Sequence, residues 1–206
     1  MIQWHWHYPT GWIMSWVIAS AITFTQGETL ATTGNLKLTS DYFINNSGNI
    51  SAGQELTLIA ASLSNYGNIT GGTGVSHINL GVGPVFNAGR ISSQDELHLT
   101  SDYLGNYGSI AAGENLIVNA GKLINSTNRA IYSGGDMSLT VDILDNYGGT
   151  VFSQGNMLIN ATGNIENFVG RIESLGTMGL SANIISNKRF DPEETVSPTV
   201  REEHVL

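Results

Sequence analysis

The sequence contains no cysteine among its 206 residues. Disulfide bonds, thiolate metal sites and cysteine nucleophiles are therefore all excluded. A chain without cysteine suits an exported bacterial surface protein, which must cross membranes without disulfide traps, although many cytosolic chains also lack this residue. The compartment does not follow from this feature by itself.

Charge is also scarce. Charged residues make up 12% of the chain, and 8 lysines and arginines stand against 17 acidic residues, for a formal net charge of −9. Nucleic-acid binders need clustered Lys and Arg to displace phosphate counterions, and here only Lys188-Arg189 are adjacent. A nucleic acid is thus excluded as a partner. Hydrophobic residues make up 41% of the chain, which argues against intrinsic disorder.

A long hydrophobic run is missing as well. Gly11–Phe24 is a mostly apolar stretch of 14 residues, whereas a membrane-spanning helix needs about 20. Ala19-Ser20-Ala21 resembles the cleavage site of a secretory signal, but the basic leader is absent because the first Lys or Arg is Lys37. We interpret residues 1–26 as an irregular apolar segment, either signal-like or an artificial start of a longer chain.

What the sequence does contain, over residues 27–189, is an internal repeat. Its marker is Asn-x-Gly-x-Ile, which recurs in strict or looser form every 19 to 22 residues. The marker asparagines are Asn46, Asn65, Asn87, Asn106, Asn125, Asn146, Asn167 and Asn187. The aliphatic residues that follow them are Ile50, Ile69, Ile91, Ile110, Ile131, Val151 and Ile172.

Each unit also carries an apolar pair two residues apart, such as Leu97 and Leu99, and an aliphatic residue two places before the Asn, such as Leu104. Alternation with period two predicts strands with one buried face. One unit of about 20 residues cannot bury its own face, so the units must stack. The pattern predicts an all-β fold, a parallel β-helix of about eight to nine coils spaced about 4.8 Å apart.

Stacking gives the marker residues structural roles. The aliphatic series is expected to form an interior ladder, and the asparagines are expected to occupy corners, where their side chains hydrogen-bond along the axis. Asn and Gly suit corners because both tolerate left-handed backbone conformations. Helical repeats are disfavoured because apolar residues do not recur at helical spacing.

The consensus Gly-x-x-Leu-x-Leu-x-Ala-x-x-Leu-x-Asn-x-Gly-x-Ile resembles the haemagglutinin repeats of the filamentous haemagglutinin family, the large exoproteins of two-partner secretion. The best unit covers residues 53–69, and the resemblance extends from Gly34 to Asn187. Residues 170–187, followed by Lys188-Arg189, resemble the repeat near the end of such arrays in contact-dependent growth inhibition effectors.

The resemblance implies a right-handed β-helix, export through an outer-membrane partner transporter, and a filament on the bacterial surface. Such filaments serve adhesion or deliver a toxin to neighbouring cells, so a receptor on a host or bacterial cell is an implied partner. The family's amino-terminal secretion domain and carboxy-terminal toxin domain are not found here. We therefore expect a shaft segment that stacks on neighbouring coils of a longer parent chain.

Some parallel β-helices instead cleave polysaccharides with clustered carboxylates. Asp41, Asp102 and Asp142 share one position in their units, but intervening units carry Ala61 and Gly121 there. Such carboxylates lie at least two coils, or about 10 Å, apart, so we expect solubilising surface charges and no enzyme. An enzyme acting on polysaccharide remains the alternative.

No cofactor or metal site is expected. Residues 71–76 lack the Asp of calcium-binding nonapeptides, and the Ser133–Asp136 motif is solitary. His5 and His7 lack a third ligand, while His77 and His98 are expected to be surface side chains because they neighbour inward residues.

Aromatic residues recur directly after the marker Asn in four units. These residues are Tyr66, Tyr107, Tyr147 and Phe168. They predict either a surface stripe that contacts a sugar or protein or side chains that shield the junctions between coils. Interruptions at Ser47, Ala88 and Ser126 favour the second interpretation.

The period ends near residue 189. Residues 190–206 contain Pro192 and Pro198 among polar neighbours. This composition predicts an extended, mobile linker.

Overall fold

The computed structural model describes residues 15–189. All regular secondary structure in this range consists of β-strands, and none of these residues forms a membrane-spanning helix. All pairings between the strands are parallel.

The chain passes back and forth between two sheets, and in some turns it contributes two successive strands to the same sheet. The first eleven are β1 (Ser15–Phe24), β2 (Thr29–Thr32), β3 (Leu36–Asn46), β4 (Asn49–Ala52), β5 (Leu56–Ile59), β6 (Ser62–Asn65), β7 (Asn68–Gly71), β8 (Val75–Asn79), β9 (Pro84–Asn87), β10 (Arg90–Ser93) and β11 (Glu96–Asn106). The other ten are β12 (Ser109–Ala112), β13 (Leu116–Asn125), β14 (Ala130–Ser133), β15 (Met137–Tyr147), β16 (Thr150–Ser153), β17 (Met157–Ala161), β18 (Asn164–Phe168), β19 (Arg171–Ser174), β20 (Met178–Ser181) and β21 (Ile184–Lys188).

Each turn of the chain contributes one short strand to an 8-stranded sheet and one longer segment to a 13-stranded sheet. In some turns the longer segment is continuous, as in β11, and in others it is broken, as in β8 and β9. The breaks after β5, β8 and β17 coincide with the sequence around Ala61, Gly81 and Gly163, where the chain turns before the next strand. The longer units place their extra residues in turns, for example at residues 80–83 between β8 and β9 and at residues 126–129 between β13 and β14, so the register of the strands is preserved.

The strand register places equivalent residues of successive units side by side. Ile91 pairs with Ile69 on one side and with Ile110 on the other, and Leu99 lies between Ile78 and Val118. The result is a β-solenoid of about 9 turns with a period of ~20 residues. The predicted all-β parallel β-helix is confirmed.

The N-terminal segment differs from the sequence expectation. Within residues 1–26, which the sequence analysis treats as irregular, Ser15–Phe24 forms β1 and pairs in parallel with β3. Val17 stacks against Leu38 and Ile22 against Ile44, so these residues extend the apolar columns by one turn. Phe24 occupies the corner column at Asn46, which explains why the Asn marker does not reveal this turn.

A continuous apolar core fills the solenoid from Ile22 to Ile165. The backbone of adjacent turns approaches closely at the corners. At Gly89, for example, a Cβ atom would collide with the carbonyl oxygen of Gly67 in the preceding turn. A glycine is therefore required at position 89, because any side chain would clash with the backbone of the adjacent turn.

Among the described residues, the last turn has a neighbouring turn on one side only. We call residues 171–188, which hold β19, β20 and β21, the terminal coil. Each of its strands pairs with one other strand, namely β16, β17 and β18. Within the described residues its outer edge is unpaired.

Candidate functional site

The interior ladder runs along the 8-stranded sheet. Its members from Ile50 to Val151 are fully buried, and Ile172 in the terminal coil is partly buried. Leu30 on β2 pairs with Ile50 and adds one more rung that the Asn-x-Gly marker does not predict. Because each rung packs against the rungs above and below, this column stabilises the stack and offers no surface for a ligand.

The corner asparagines form a second, polar ladder, which is buried from Asn46 to Asn146 and reaches the surface at Asn187. Each carboxamide Nδ2 donates to the Oδ1 of the next Asn, over distances from 2.7 to 2.9 Å between Asn46 and Asn187. Nδ2 of Asn106 also donates to the backbone carbonyl of Ala130, at 3.1 Å. These buried amides are satisfied only because every neighbouring coil supplies an acceptor, and all donors point toward the C-terminal end of the array.

A further ladder, which the repeat marker does not predict, lies just before the apolar pair in the units from Asn115 to Thr177. The Oδ1 of Asn115 accepts from the Asp136 N–H at 3.0 Å, Asp136 accepts from Asn156 at 2.7 Å, and Asn156 accepts from Thr177 at 3.0 Å. The signal was present as a recurring Asn, Asp or Glu at that position. Its members hold adjacent corners together through side chain to backbone bonds.

The four aromatic residues after the marker Asn fall into two groups. Tyr147 stacks on Phe168 with ring centroids 5.0 Å apart. Tyr66 and Tyr107 are two turns apart and are bridged by Phe86, which lies 5.6 Å from the first ring and 5.0 Å from the second. Phe86 comes from a different column, two residues before Ala88, and sequence spacing therefore did not group it with them.

The ring geometry decides what these columns can do. Phe86 and Tyr107 are inclined by 29° and Tyr147 and Phe168 by 15°, so these two pairs are stacked, whereas the rings of Tyr66 and Phe86 are tilted by 46°. Sugar rings bind to free aromatic faces, and in each stacked pair one face of each ring is turned toward its neighbour. Tyr66, at 60% exposure, and Tyr147 remain the most accessible of the four.

Gly105 lies beneath the rings of Tyr103 and Tyr107, next to the first aromatic group. A Cβ atom at this position would approach the Tyr107 ring to 2.8 Å and the Tyr103 ring to 3.2 Å. The missing side chain therefore lets the two tyrosines converge over the strand. Burial, and secondly a hydrogen bond with Tyr107, raise the pKa of Tyr103 to about 12.

His77 and His98 lie on the outer face of the 13-stranded sheet, in register on β8 and β11. Their rings meet edge to face with centroids 4.9 Å apart. Burial, and secondly the neighbouring His98, lower the pKa of His77. The pKa of Glu96 is lowered by its hydrogen bond with His98 and by the amide of Asn115, which donates at 3.1 Å.

No group of three metal-ligating side chains is positioned to hold a metal among residues 15–189. Asp136, from the solitary Ser-Gly-Gly-Asp motif, instead accepts a backbone N–H within its ladder. In the insertion at residues 71–74, Gly74 donates its N–H to Asp95 at 2.8 Å. His5 and His7 lie outside the described residues.

The carboxylates that suggested an enzyme do not come together. Asp41, Asp102 and Asp142 are exposed and belong to β3, β11 and β15, with β13 between the latter two. Asp142 accepts a hydrogen bond from the Thr162 hydroxyl at 2.6 Å. The arrangement lacks the paired carboxylates that glycoside cleavage needs.

Two shallow grooves mark the outer surface near the C-terminal end. The larger, of about 530 Å³, is lined by the apolar residues Ile117, Leu158 and Met178 and by the polar residues Asp136 and Asn156, among others. The smaller, of about 330 Å³, is lined in part by Tyr147 and Phe168. In the first groove the Oδ1 atoms of Asp136 and Asn156 already accept backbone N–H groups, which leaves them poorly placed to recognise a ligand.

These features define a class of protein: a repeat β-solenoid whose regular side-chain columns are dedicated to stacking. The model of the haemagglutinin repeat matches residues 17–47 and 31–167. The chain belongs to this family and is a structural segment of a filamentous haemagglutinin-like adhesin. No curated protein and no solved structure gives a significant match.

Proposed function

We propose that the chain is a rigid shaft within a large secreted exoprotein of the bacterial surface. The observation that carries this proposal is the uninterrupted Asn ladder, which joins eight successive coils from Asn46 to Asn187 through one chain of hydrogen bonds. With a rise of about 4.8 Å per coil, nine turns supply roughly 40 Å of length. Length and stiffness are what such a stack contributes to a filament.

We further propose that the parent protein leaves the cell through an outer-membrane two-partner secretion transporter and engages a receptor on a host or neighbouring bacterial cell. Family membership supports this proposal, because the haemagglutinin repeat implies a secreted, surface-associated exoprotein. The absence of cysteine is consistent with export. Whether the filament serves adhesion or toxin delivery depends on the rest of the parent chain.

Deletions within the parent protein test the shaft. Removing residues 88–106, one unit of 19 residues, brings Asn87 to the chain position of Asn106 and keeps every column in register. Removing only residues 88–97 places outward residues in inward columns. We expect surface display, measured by labelling intact cells, to survive the first deletion and fail in the second.

Loss of display in both deletions would contradict a shaft and indicate that this stretch holds a specific site. A second readout separates display from adhesion. Displayed protein without residues 88–106 should still bind cells, because the deleted unit supplies length and no contact.

The exposure of Tyr66 and Tyr147 favours one alternative, in which this segment itself grips a ligand. In that case Tyr66→Ala combined with Tyr147→Ala would reduce cell binding while display stays normal. The shaft proposal expects normal display and normal binding.

An enzyme is not proposed. Purified protein should leave pectin and polygalacturonate intact because its exposed aspartates are dispersed over separate coils. Depolymerisation that disappears in Asp102→Asn would overturn this part of the proposal.

A further inference from the structure

Two histidines from adjacent coils lie side by side on the outer face of the 13-stranded sheet. His77 on β8 pairs in register with His98 on β11, and their ring centroids are 4.9 Å apart. They are the two histidines that residues 15–189 contain. Their further neighbours in the same column are Thr57 and Ile117, which carry no ionisable group. The two imidazoles therefore form a distinct pair on this face.

The separation of the two rings fits a shared metal ion. Two imidazole nitrogens at about 2.0 to 2.1 Å from one tetrahedral ion place their ring centroids roughly 5 Å apart. The rings are inclined by 80°, and the exposed His77 ring can turn about its Cβ–Cγ bond, which is a broad and roughly two-fold torsion. Because the strand register already sets the spacing of the two residues, the backbone does not need to move.

Glu96 determines which nitrogen of His98 is available. It lies two residues before His98 on the same face of β11, and its carboxylate hydrogen-bonds with Nε2 of the ring. An ionised carboxylate only accepts hydrogen bonds, so Nε2 carries the proton. Nδ1 then keeps the lone pair that a metal ion requires, in the arrangement by which a carboxylate commonly orients a metal-binding histidine.

The surroundings of the pair favour a cation while the rings stay neutral. Glu55 and Glu96 are both close enough to act electrostatically on His77. Burial, and secondly the neighbouring His98, nevertheless lower the pKa of His77 below its ordinary 6.5. The neutral imidazole is the form that binds metals, so near pH 7 no proton has to be displaced from His77.

We propose that His77 and His98 bind one divalent transition-metal ion, of which Zn²⁺ is the example tested below. Each imidazole supplies one nitrogen, and water completes the coordination, because three metal-ligating side chains do not converge anywhere in residues 15–189. Imidazole ligands suit Zn²⁺, Cu²⁺ and Ni²⁺, whereas Ca²⁺ and Mg²⁺ prefer oxygen. The ion joins β8 to β11 next to the turn at residues 80–83, where the long segment of the sheet is broken.

Thermal unfolding of the 206-residue protein with added Zn²⁺ tests the site. A ligand that binds the folded protein alone raises the unfolding midpoint. At about 100 times the dissociation constant found by calorimetric titration, Zn²⁺ should raise the midpoint by about 5 °C or more. His77→Thr should abolish this rise. Threonine already occupies the same column one coil earlier, at Thr57, so the variant keeps a side chain that the sheet accepts.

Two further variants separate this pair from other sources of binding. His5→Ala with His7→Ala removes the other closely spaced histidines of the chain and should leave the rise unchanged. Glu96→Gln keeps the size of the side chain and removes the carboxylate that orients His98. It should weaken Zn²⁺ binding by about tenfold.

Histidine ring resonances in NMR spectra give a readout that does not depend on stability. Zn²⁺ should shift the rings of His77 and His98 together, at one stoichiometric equivalent. The site is overturned if neither ring responds, or if His77→Thr and the unaltered protein show the same rise in midpoint. A rise that disappears when His5 and His7 are replaced would also overturn it. The inference is independent of the shaft proposal, because every readout uses the isolated protein.

Discussion

The turn that holds β11 and the terminal coil share one sequence pattern and differ in what surrounds them. Leu99 and Leu180 occupy the same column, yet Leu99 is 0% exposed and Leu180 is 36% exposed. The difference arises because, among the described strands, β11 has neighbours on both sides and β20 has a neighbour on one side. In this fold, the burial of a side chain depends on the coils that pack on each side of its own coil.

The largest expected effect comes from truncating that column in each region. Leu99→Ala removes a fully enclosed side chain and should lower the free energy of unfolding by about 2 to 5 kcal/mol. Leu180→Ala removes a partly exposed one and should cost less than about half as much. Urea unfolding of the two variants measures both, and equal losses would contradict the role assigned to neighbouring coils.

The polar ladder offers the second comparison. Asn106→Ala leaves the Oδ1 of Asn125 and the carbonyl of Ala130 without the donors that they now have at 2.9 and 3.1 Å. Buried groups left in this way should cost about 1 to 3 kcal/mol. Asn187→Ala, at the exposed end, should change the unfolding free energy by less than about 0.5 kcal/mol. Similar losses of unfolding free energy at both positions would contradict the idea that the ladder stabilises the protein through hydrogen bonds between buried neighbouring coils.

Two buried serines sharpen the comparison between interior turns. Ser40 Oγ lies 2.9 Å from the carbonyl oxygens of both Ser20 and Phe43, whereas the equivalent Ser101 Oγ is buried without a hydrogen-bond partner. Ser40→Ala should lose about 1 kcal/mol, and Ser101→Ala should be neutral or gain up to about 1 kcal/mol. In thermal unfolding, Ser40→Ala should lower the midpoint and Ser101→Ala should leave it unchanged or raise it. A lower midpoint for Ser101→Ala would contradict the assignment of Ser101 Oγ as a buried hydroxyl without a hydrogen-bond partner.

A smaller effect concerns pH. The pKa of His77 is lowered in the folded protein from its ordinary 6.5, mainly by burial, so the unfolded chain binds its proton first as the pH falls. The stability that neutral His77 contributes is complete above pH 6.5 and decreases as the pH falls through the lowered value. Glu96, whose pKa is also lowered from 4.5, loses its contribution at more acidic pH.

Unfolding midpoints measured from about pH 7.5 to about pH 3, a range that includes the ordinary pKa values of both side chains, test these two steps. In a plot of the unfolding midpoint against pH, His77→Thr should flatten the part near neutral pH and Glu96→Gln the acidic part. An unchanged slope near neutral pH in His77→Thr would contradict the role assigned to His77.

The ion pair of the terminal coil should have the smallest effect. Arg171 and Glu173 form this pair at the surface. Glu173→Gln should have little effect on the free energy of unfolding because such pairs contribute about 0 to 1 kcal/mol.

The sequence was sufficient for the fold because the period is carried by residues with unambiguous roles. Inward aliphatic residues such as Leu97 and Leu99 identify the strands, and the spacing of marker asparagines determines the register. The repeat marker does not predict the first turn, because Phe24 occupies the position that a marker Asn holds in the other turns. Its strand nevertheless forms, since Val17 and Ile22 find apolar partners in β3.

The candidate site was less accessible to sequence reasoning. The columns at Tyr66 and Tyr147 follow from spacing, but the bridging Phe86 belongs to another column and meets Tyr66 and Tyr107 only through side-chain conformation. The ladder through Asn115, Asp136 and Asn156 was visible as a recurring residue type, while its bonds to the next coil's N–H groups depend on the backbone of the corner. Sequence spacing predicts which residues share a column. Contacts between different columns depend on the three-dimensional structure and cannot be read from the spacing.

The stacking register is the central claim, and engineered disulfides test it most directly because the chain has no cysteine of its own. Thr100 on β11 pairs with Asn119 on β13, which pairs with Thr140 on β15. Adjacent coils lie about 4.8 Å apart, within the range that a disulfide spans, whereas two coils lie about 10 Å apart. Under mild oxidation, we expect Thr100→Cys with Asn119→Cys to form an intramolecular disulfide, and Thr100→Cys with Thr140→Cys to stay reduced. Failure of the first pair, or faster oxidation of the second, would contradict the register of the solenoid.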